Sequence, residues 1–378
     1  MKVNTLVNLL DIHNEGSLIA VDKLKPDHVI YLKNNNTIDL YDEVESYHKE
    51  RYPKIKIEGL CIDEGDINAI REVIQDLDIN STVINITGGK RINSLILLNE
   101  ALNMNFNIIY VDVLKKQWYN FGSSLCKSSD EFIDIDLEDM LNIAGADLVI
   151  DSSELAKRKD ILELTKQIYS NLKIWYKYKQ KLHDTSIFVH DPNNSKQVYI
   201  NREYINKDEF KILNVCLKYM RNMNILRYDF LDNKIQVLFF KDYLKGFIFK
   251  SGTWLEVLTD IVVREITEVD EVKSGVVFLW KDGKRRVRNE LDVMAVKDSV
   301  LICISCKDSE KYDEVALNEL DVYSKRLGGN SAKKILVATK PPCKRCVMDR
   351  ARAMNINLVV LDEDIIKFKN KLRKIIDK

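Results

Sequence analysis

The chain has 378 residues, 46% of them apolar and 31% charged, more than one hydrophobic core usually takes, so two or three domains are expected. Lysine plus arginine and aspartate plus glutamate both number 58, so global charge steers the chain neither toward a polyanion nor away from it. No run approaches the roughly 18 apolar residues of a membrane span and MKVNTLVNLLDIHNEGS lacks a cleavable signal pattern, so a cytoplasmic protein without a membrane partner is expected, in which seven cysteines, an odd number, stay reduced rather than forming a disulfide framework.

Residues 1–135 alternate short apolar runs with amphipathic stretches. VNTLVNLL, HVIYLK, IKIEGLCI, STVINIT and FNIIYVDVL, most of them rich in Val and Ile, read as strands, and EGDINAIREVIQDL and KRINSLILLNEALNM as helices between them. That order predicts a mostly parallel, Rossmann-like sheet whose ligands sit outside the carboxyl ends of its strands.

Two of those strand ends carry chemistry. In LVNLLDIHNEGS the residues Asp11, His13 and Asn14 form a polar loop before the next helix. In NITGGKRINS a strand runs into Thr87, Gly88 and Gly89, followed by Lys90 and Arg91 at a helix N-terminus. Free amides, a helix dipole and two cations suit a phosphate. Neither GxGxxG nor a Walker A loop is present, and a glycine-rich turn capping a helix is the plainer alternative, as ordinary turn chemistry is for His13 and Asn14.

Residues 136–247 read as a helical connector. DLEDMLNIAG is one helix, and ELAKRKDILELTKQIYSNLKIWYKYKQKL is a long second one with a stripe at Leu162, Ile168, Leu172 and Trp175. A third helix, NKDEFKILNVCLKYMRNMNIL, precedes a strand-like pair, KIQVLFF and YLKGFIF. Helix then hairpin suits a winged helix or a connector that transmits dimer geometry, and the connector is favoured.

Residues 248–378 hold the second site. TWLEVLTDIVVREI is a helix with apolar positions Leu255, Leu258, Val262 and Ile266 and with Glu256 in its first turn. NELDVMAVKDSVLICISCK reads as two strands turning at Asp298 and Ser299. Alternation predicts Glu290 and Asp292 on one face with Met294, and Cys303, Ser305 and Lys307 on one face with Ile304 and Cys306 turned away. A helix acid, a strand acid and a lysine then converge, as in metal-dependent phosphodiester hydrolysis. The plainer readings are an exposed Asp292–Lys307 cross-strand pair and a helix-capping charge at Glu256. Glu319 and Tyr323, one turn apart on the next helix, are further candidates or a solvated face.

CISC (Cys303 to Cys306) and CKRC (Cys343 to Cys346) superficially spell four zinc ligands, yet Cys303 and Cys306 point to opposite faces of an apolar strand and cannot chelate together. CKRC is expected to begin the last helix before the strand NLVVLD. The basic runs KDGKRRVR and CKRCVMDRAR offer positive charge to a polyanion or are simply solvated loop.

NITGGKRINS resembles the TGG loop of CARF domains, the Rossmann-like sensors of cyclic oligoadenylates in type III CRISPR defence. It departs from them in placing Lys90 directly after the second glycine, without the intervening threonine. GTWLE, NELD and ISCK, in the same order after it, resemble the nuclease half of CARF-linked CRISPR ancillary nucleases, within the PD-(D/E)xK superfamily. The E-x-D spacing also resembles Holliday-junction resolvase relatives. Ser305 departs by standing where the acid of the D/E-x-K pair belongs.

The resemblance implies an α/β chain: a CARF domain, a connector and a restriction-endonuclease-like domain. Asp11, His13, Asn14, Thr87, Gly88, Gly89, Lys90 and Arg91 are expected to hold a cyclic oligoadenylate, cyclic tetra-adenylate for preference, from each half of a homodimer. Asp292, with Glu256 or Glu290, is expected to hold Mn²⁺ or Mg²⁺, and Lys307 to position or activate water. Ser305 obliges the site to borrow a ligand from Glu256, Glu290, Glu319 or the Cys306 carbonyl. The implied activity is ligand-activated cleavage of DNA or RNA. The alternative is a cyclic-oligoadenylate-binding regulator with an inert nuclease domain, and a sensor loop that degrades its own ring is a third reading.

Overall fold

The structure, a computed structural model, describes residues 2–34, 37–122, 125–127, 132–250, 252–281 and 287–377. The first sheet is built from β1 (Thr5–Leu9), β2 (His28–Lys33), β3 (Lys56–Cys61), β4 (Thr82–Asn85), β5 (Asn107–Asp112) and β6 (Gln117–Phe121). Between them run α1 (Glu15–Leu24), α2 (Ile38–Arg51), α3 (Ile67–Gln75) and α4 (Arg91–Asn103). Strand order is β3-β2-β1-β4-β5-β6, parallel except for β6, so the expected Rossmann-like domain is present. The chain reverses its direction of build between β1 and β4, and Asn8 lies opposite Asn85 there. The two candidate loops, 10–14 and 86–90, therefore leave neighbouring strand ends at the switch point where such sheets bind ligands.

Next come α5 (Leu137–Ile143), β7 (Ala146–Ile150), α6 (Ser153–Ala156), α7 (Lys159–Ser170) and α8 (Leu172–Tyr178). β8 (Phe188–His190), β9 (Gln197–Asn201), α9 (Lys207–Asn222), β10 (Leu226–Leu231), β11 (Lys234–Phe239) and α10 (Asp242–Phe249) follow. Four of these strands form an antiparallel sheet, β10-β11-β9-β8, so the connector is not helical throughout. The expected long helix is three, α6, α7 and α8, with a break at Asn171 (φ −125°, ψ 35°) between the last two, and the buried face of α7 is Ile161, Leu164 and Ile168 rather than a stripe through Leu162. YLKGFIF is helix α10, with Leu244 and Phe247 facing inward three residues apart; the true hairpin partner of KIQVLFF is LRYDFL, which begins after Asn224 adopts a left-handed φ of 56° and ends α9.

The C-terminal domain comprises α11 (Thr253–Arg264), β12 (Glu271–Trp280), β13 (Arg288–Lys297), β14 (Val300–Lys307), α12 (Glu314–Gly328), β15 (Lys333–Ala338), α13 (Arg345–Ala353), β16 (Ile356–Val360) and α14 (Ile365–Ile376). Its sheet runs β16-β15-β14-β13-β12-β7. β7 pairs antiparallel with β12, so a strand from within residues 136–247 completes this sheet and covers its edge.

β13 and β14 join through Asp298 (φ 55°) and Ser299 (φ 61°), the two left-handed residues of a two-residue turn matched to strand twist. That turn rests on the N-terminal domain. Asp298 pairs with Lys116 between β5 and β6, and Ser299 Oγ donates to the Ile133 carbonyl at 2.9 Å while accepting from the Ile135 amide at 2.9 Å. One apolar cluster runs without a break from Leu6, Val111 and Trp118 through Met140 and Ala146 to Phe278, Met294 and Leu336. The other face of the C-terminal sheet packs with α11, α14 and the connector in a second cluster.

Candidate functional site

At the end of the hairpin away from its turn, β13 and β14 diverge. Their paired positions stop at Val293 opposite Ile304. Beyond that point the Asp292 side chain takes over the ladder: Oδ2 accepts from the Cys306 amide at 2.6 Å and from Ser305 Oγ at 3.2 Å. Strict alternation fails at this place. Leu291 and Met294 pack in one apolar layer and Val293 and Ala295 in the other, so Met294 does not share the acids' face as expected. Cys303 and Cys306 do separate as expected, Cys303 into the first layer and Cys306 into the second.

α11 brings Glu256 to the same end, anchored beneath by Cys306 Sγ against Thr259 Oγ1 at 3.5 Å. Burial, then the neighbouring Asp292 charge, push the Glu256 carboxyl up to about 7, with Lys250 and Lys307 pulling the other way. Burial also raises Asp292, against the lowering effects of the Cys306 amide, Lys307 and Ser305. Glu290 is exposed and adds negative charge to both. Glu256 and Asp292 thus lie within reach of the charges of Glu290 and Lys307 at this end of the hairpin. Ser305 serves as a donor that orients Asp292. Glu319 is exposed on α12 and is not among the charges felt by Glu256 or Asp292, while Tyr323 turns edge-on to Phe278.

Buried carboxylates that repel one another, beside a lysine, are a donor set that a hard divalent cation stabilises, so the residues fit Mg²⁺ or Mn²⁺. They are gathered less tightly than a second acidic trio among the described residues, Asp134, Asp270 and Asp298. That trio lies at the turn end of the hairpin and belongs to the domain joint: Asp270 accepts from the Asp298 amide at 2.6 Å, and Asp298 pairs with Lys116. The cysteines carry no zinc constellation: Cys303 and Cys306 are buried in opposite layers, and Cys343 and Cys346 are exposed. CKRC does lead into α13 before β16. Residues 282–286 of the basic run KDGKRRVR lie outside the described residues, while Lys281 pairs with Glu43 and Asp147.

In the N-terminal domain, Gly88 and Gly89 are needed as glycines. A Cβ on Gly88 would stand 2.6 Å from the Leu9 carbonyl oxygen, and Gly89 combines φ +79° with a contact of 2.7 Å to Leu9 Cβ. Thr87 is held by a buried pair absent from the sequence reading. Asn85 Nδ2 donates to Asn8 Oδ1 at 2.9 Å, Asn85 Oδ1 accepts from the Thr87 amide at 3.0 Å, and Thr87 Oγ1 accepts from the Val111 amide at 2.9 Å. The signal for it was an asparagine inside the apolar strand TLVNL. Lys90 and Arg91 stand exposed at the start of α4, Lys90 paired with Glu64.

The first loop, expected to hold the ligand, is built as follows. Asn14 is buried and locks the loop, accepting from the Asp11 amide at 3.0 Å and donating to the Asp11 carbonyl at 2.6 Å. His13 turns toward the C-terminal domain, where its ring lies against Gly329 just past α12. Asp11 remains half-buried beside Gly88.

Residues 245–377 match the family model of the Card1-like endonuclease domain. No curated protein matches the sequence at a significant level. Among solved structures, protein VC1899 from Vibrio cholerae aligns with a TM-score of 0.76 at 19% identity, over 98% of this chain and 97% of that one. Can2 from Sulfobacillus thermosulfidooxidans, in complex with cyclic tetra-adenylate, gives 0.74 at 17% identity, over 99% of this chain and 100% of that one. A type III CRISPR defence DNA nuclease activated by cyclic oligoadenylate gives 0.50 at 14% identity, over 95% of this chain but only 48% of that one. At these identities the structural likeness establishes the fold of the whole chain. The endonuclease assignment of its last third rests on the family match.

Proposed function

We propose that this chain, whose residues 245–377 form a Card1-like endonuclease domain, cleaves nucleic acid at a divalent-metal site on the open end of the β13–β14 hairpin and is switched on by a cyclic oligoadenylate at the 86–90 loop. The observation that carries the reading is the convergence of Glu256 and Asp292, both raised by burial, with Lys307. Such an arrangement suits the PD-(D/E)xK mode of hydrolysis.

Glu256 and Asp292 present carboxylate oxygens, with Glu290 and the Cys306 carbonyl as further donors. A bound Mg²⁺ or Mn²⁺ supplies a water of lowered pKa and offsets charge on the scissile phosphate. Asp292 is fixed for this task by the Cys306 amide and Ser305, so Ser305 acts through Asp292 instead of replacing the family's acid. Lys307 would position or activate the attacking water and stabilise the developing negative charge.

The activator reading is supported by the glycine cradle beside Leu9 and by the ligand in the Can2 complex, cyclic tetra-adenylate. A ring ligand favours a twofold dimer in which both copies give the same loop. Exposed apolar side chains stand in the loop after β1 (Ile12) and on α3 and α4 (Ile67, Ile92 and Leu95), and they are the surface we assign to the second copy. Regulation runs along the hairpin, whose turn is held by the sensor domain and whose far end carries Asp292 and Lys307.

Incubation of the full chain with supercoiled plasmid, single-stranded DNA or RNA, with Mn²⁺ and with or without cyclic tetra-adenylate, tests the proposal. Cleavage that needs both metal and ring, and that disappears in Asp292→Ala and Lys307→Ala variants with ring affinity retained, is expected. No cleavage of any substrate with either metal leaves the chain a ligand-binding regulator.

A further inference from the structure

The residue that follows Lys307 has no part in the site as described, yet it is among the most constrained side chains near it. The Asp308 side chain is 2% exposed, and its carboxylate collects partners from two elements far apart in sequence. Oδ2 accepts the indole N–H of Trp254 at 2.8 Å and that of Trp175 at 2.9 Å. Oδ1 pairs with Lys179 at 2.8 Å, and the Asp308 carbonyl accepts from the same ammonium. The two indoles meet edge to face, centroids 6.2 Å apart, so both N–H groups point at one oxygen.

The elements joined matter more than the number of bonds. Trp254 and Glu256 share the first turn of α11, while Lys307 and Asp308 are consecutive at the end of β14. A site that needs Glu256, Asp292 and Lys307 together must fix α11 against β14, and at this end the Asp308–Trp254 bond does so. Trp175 and Lys179 extend the tie to α8 and the residues just after it, where both also line an apolar cavity of about 630 Å³ in the connector. Hydrogen bonds to an ionised acceptor are short and strong, and a buried carboxylate has no water to exchange with if one is lost.

We propose that Asp308 is a positioning residue: its clamp on Trp254 and Trp175 sets the spacing of Glu256 from Lys307 and so the metal site between them. The inference rests on the nuclease reading above and adds a residue to it. A clamp of purely structural value would govern folding stability alone. A positioning clamp governs metal affinity and turnover even when the fold is intact.

The test uses the full chain and three variants, Trp254→Phe, Trp175→Phe and Asp308→Asn. The first two keep the ring and delete one donor each, and the third keeps the shape and deletes the charge. Thermal unfolding, Mn²⁺ affinity by titration with Mn²⁺ alone, and kcat and KM for plasmid cleavage with cyclic tetra-adenylate are measured for each. Trp254→Phe is expected to lose about tenfold in Mn²⁺ affinity and in kcat with KM close to wild type, since disturbing a group that orients ligands costs about 10–100-fold. It also lowers Tm by the cost of one lost donor, so affinity and kcat are compared at a temperature where the variant is fully folded. Trp175→Phe, one element further from Glu256, is expected to lose less. If Trp254→Phe and Asp308→Asn both keep Mn²⁺ affinity and kcat within about twofold, or lose them only in proportion to Tm, the positioning role is wrong while the nuclease reading stands. A wild-type chain that neither cleaves nor binds Mn²⁺ overturns both, and one that binds Mn²⁺ without cleaving leaves the metal titration of the variants to decide.

Discussion

Asp292 Oδ2 sits 2.6 Å from the backbone nitrogen of Cys306, so a side chain closes the strand ladder at the point where β13 and β14 separate. The carboxylate is thereby a structural acceptor that also feels the Lys307 charge. These roles separate by substitution. Asp292→Asn keeps an oxygen for the Cys306 amide and loses the charge, so Tm should hold while cleavage falls by about 100-fold or more, on the scale of removing one group aimed at developing charge. Asp292→Ala should lose activity and also stability, by about 1–3 kcal/mol for an amide left unsatisfied. Equal Tm losses in the two variants would contradict this division.

Ser305 holds the position at which the proposed PD-(D/E)xK reading expects an acid, and its hydroxyl donates to Asp292 at 3.2 Å. Ser305→Ala should weaken Mn²⁺ binding by about tenfold, the range for groups that orient a metal ligand, and leave Tm within a degree or two. A Mn²⁺ titration of the variant decides the matter, and unchanged affinity would leave Ser305 as filler.

Glu256 gives the site a pH signature. Its carboxyl is raised from 4.5 to about 7, so the folded chain holds a proton that the unfolded chain releases across that window. Stability attributable to the neutral form is complete below about 4.5 and is lost as pH rises through about 7, by something on the order of 3 kcal/mol. Metal-free protein compared with Glu256→Gln should therefore show the variant gaining in relative Tm as pH rises from about 4.5 to about 7 and levelling off above. Mn²⁺ favours the carboxylate and should reverse the trend in the wild type. A difference independent of pH would mean that Glu256 is already ionised in the fold.

The sensor sheet was legible because buried parallel strands are continuous Val and Ile runs with helices between them, whereas β6, QWYNF, is an edge strand with one buried position of five and offers no such run. YLKGFIF was misassigned because a short apolar run looks the same in a helix as in a strand until Leu244 and Phe247 are seen on one side. β7 hides for a different reason: ADLVI follows a helix in the chain, yet its partner is β12, and no local pattern announces a pairing so distant. Glu256, Glu290, Asp292 and Lys307 could be picked out by residue type and order in the chain, but the change of face at Asp292 and the Trp175–Asp308–Trp254 cluster depend on tertiary placement.

Lys90 is a phosphate contact in the proposed function, and in the free protein it is tied to Glu64. The pair is exposed on both sides, which limits its strength to about 0.2–1 kcal/mol. Glu64→Gln should then tighten cyclic tetra-adenylate by about two- to fivefold at low salt, and Lys90→Ala should weaken it with no effect on Mn²⁺ affinity. Isothermal titration with the two variants checks both directions, and a Glu64→Gln change that weakens the ring would show Glu64 itself to be a contact.

His13 and Gly329 link the sensor loop to the C-terminal domain. A Cβ built on Gly329 would lie 2.7 Å from His13 Cδ2 at a φ of +63°, so alanine there strains the backbone and collides with the ring. α12 runs from Glu314 to Gly328 alongside β14, which ends in Lys307, and its C-terminal end meets the loop that leaves β1. Two connections therefore join the proposed ligand side to the proposed metal site, the β13–β14 hairpin through Asp298 and Ser299 and α12 through Gly329. Gly329→Ala should cost about 1–3 kcal/mol in stability, which a paired His13→Ala change should restore in part by vacating the space. In the double variant, cyclic tetra-adenylate should still bind, while the ratio of cleavage with ring to cleavage without it should fall, because the α12 contact no longer reports the state of the loop. An unchanged activation ratio in the double variant would assign the whole of the coupling to the hairpin.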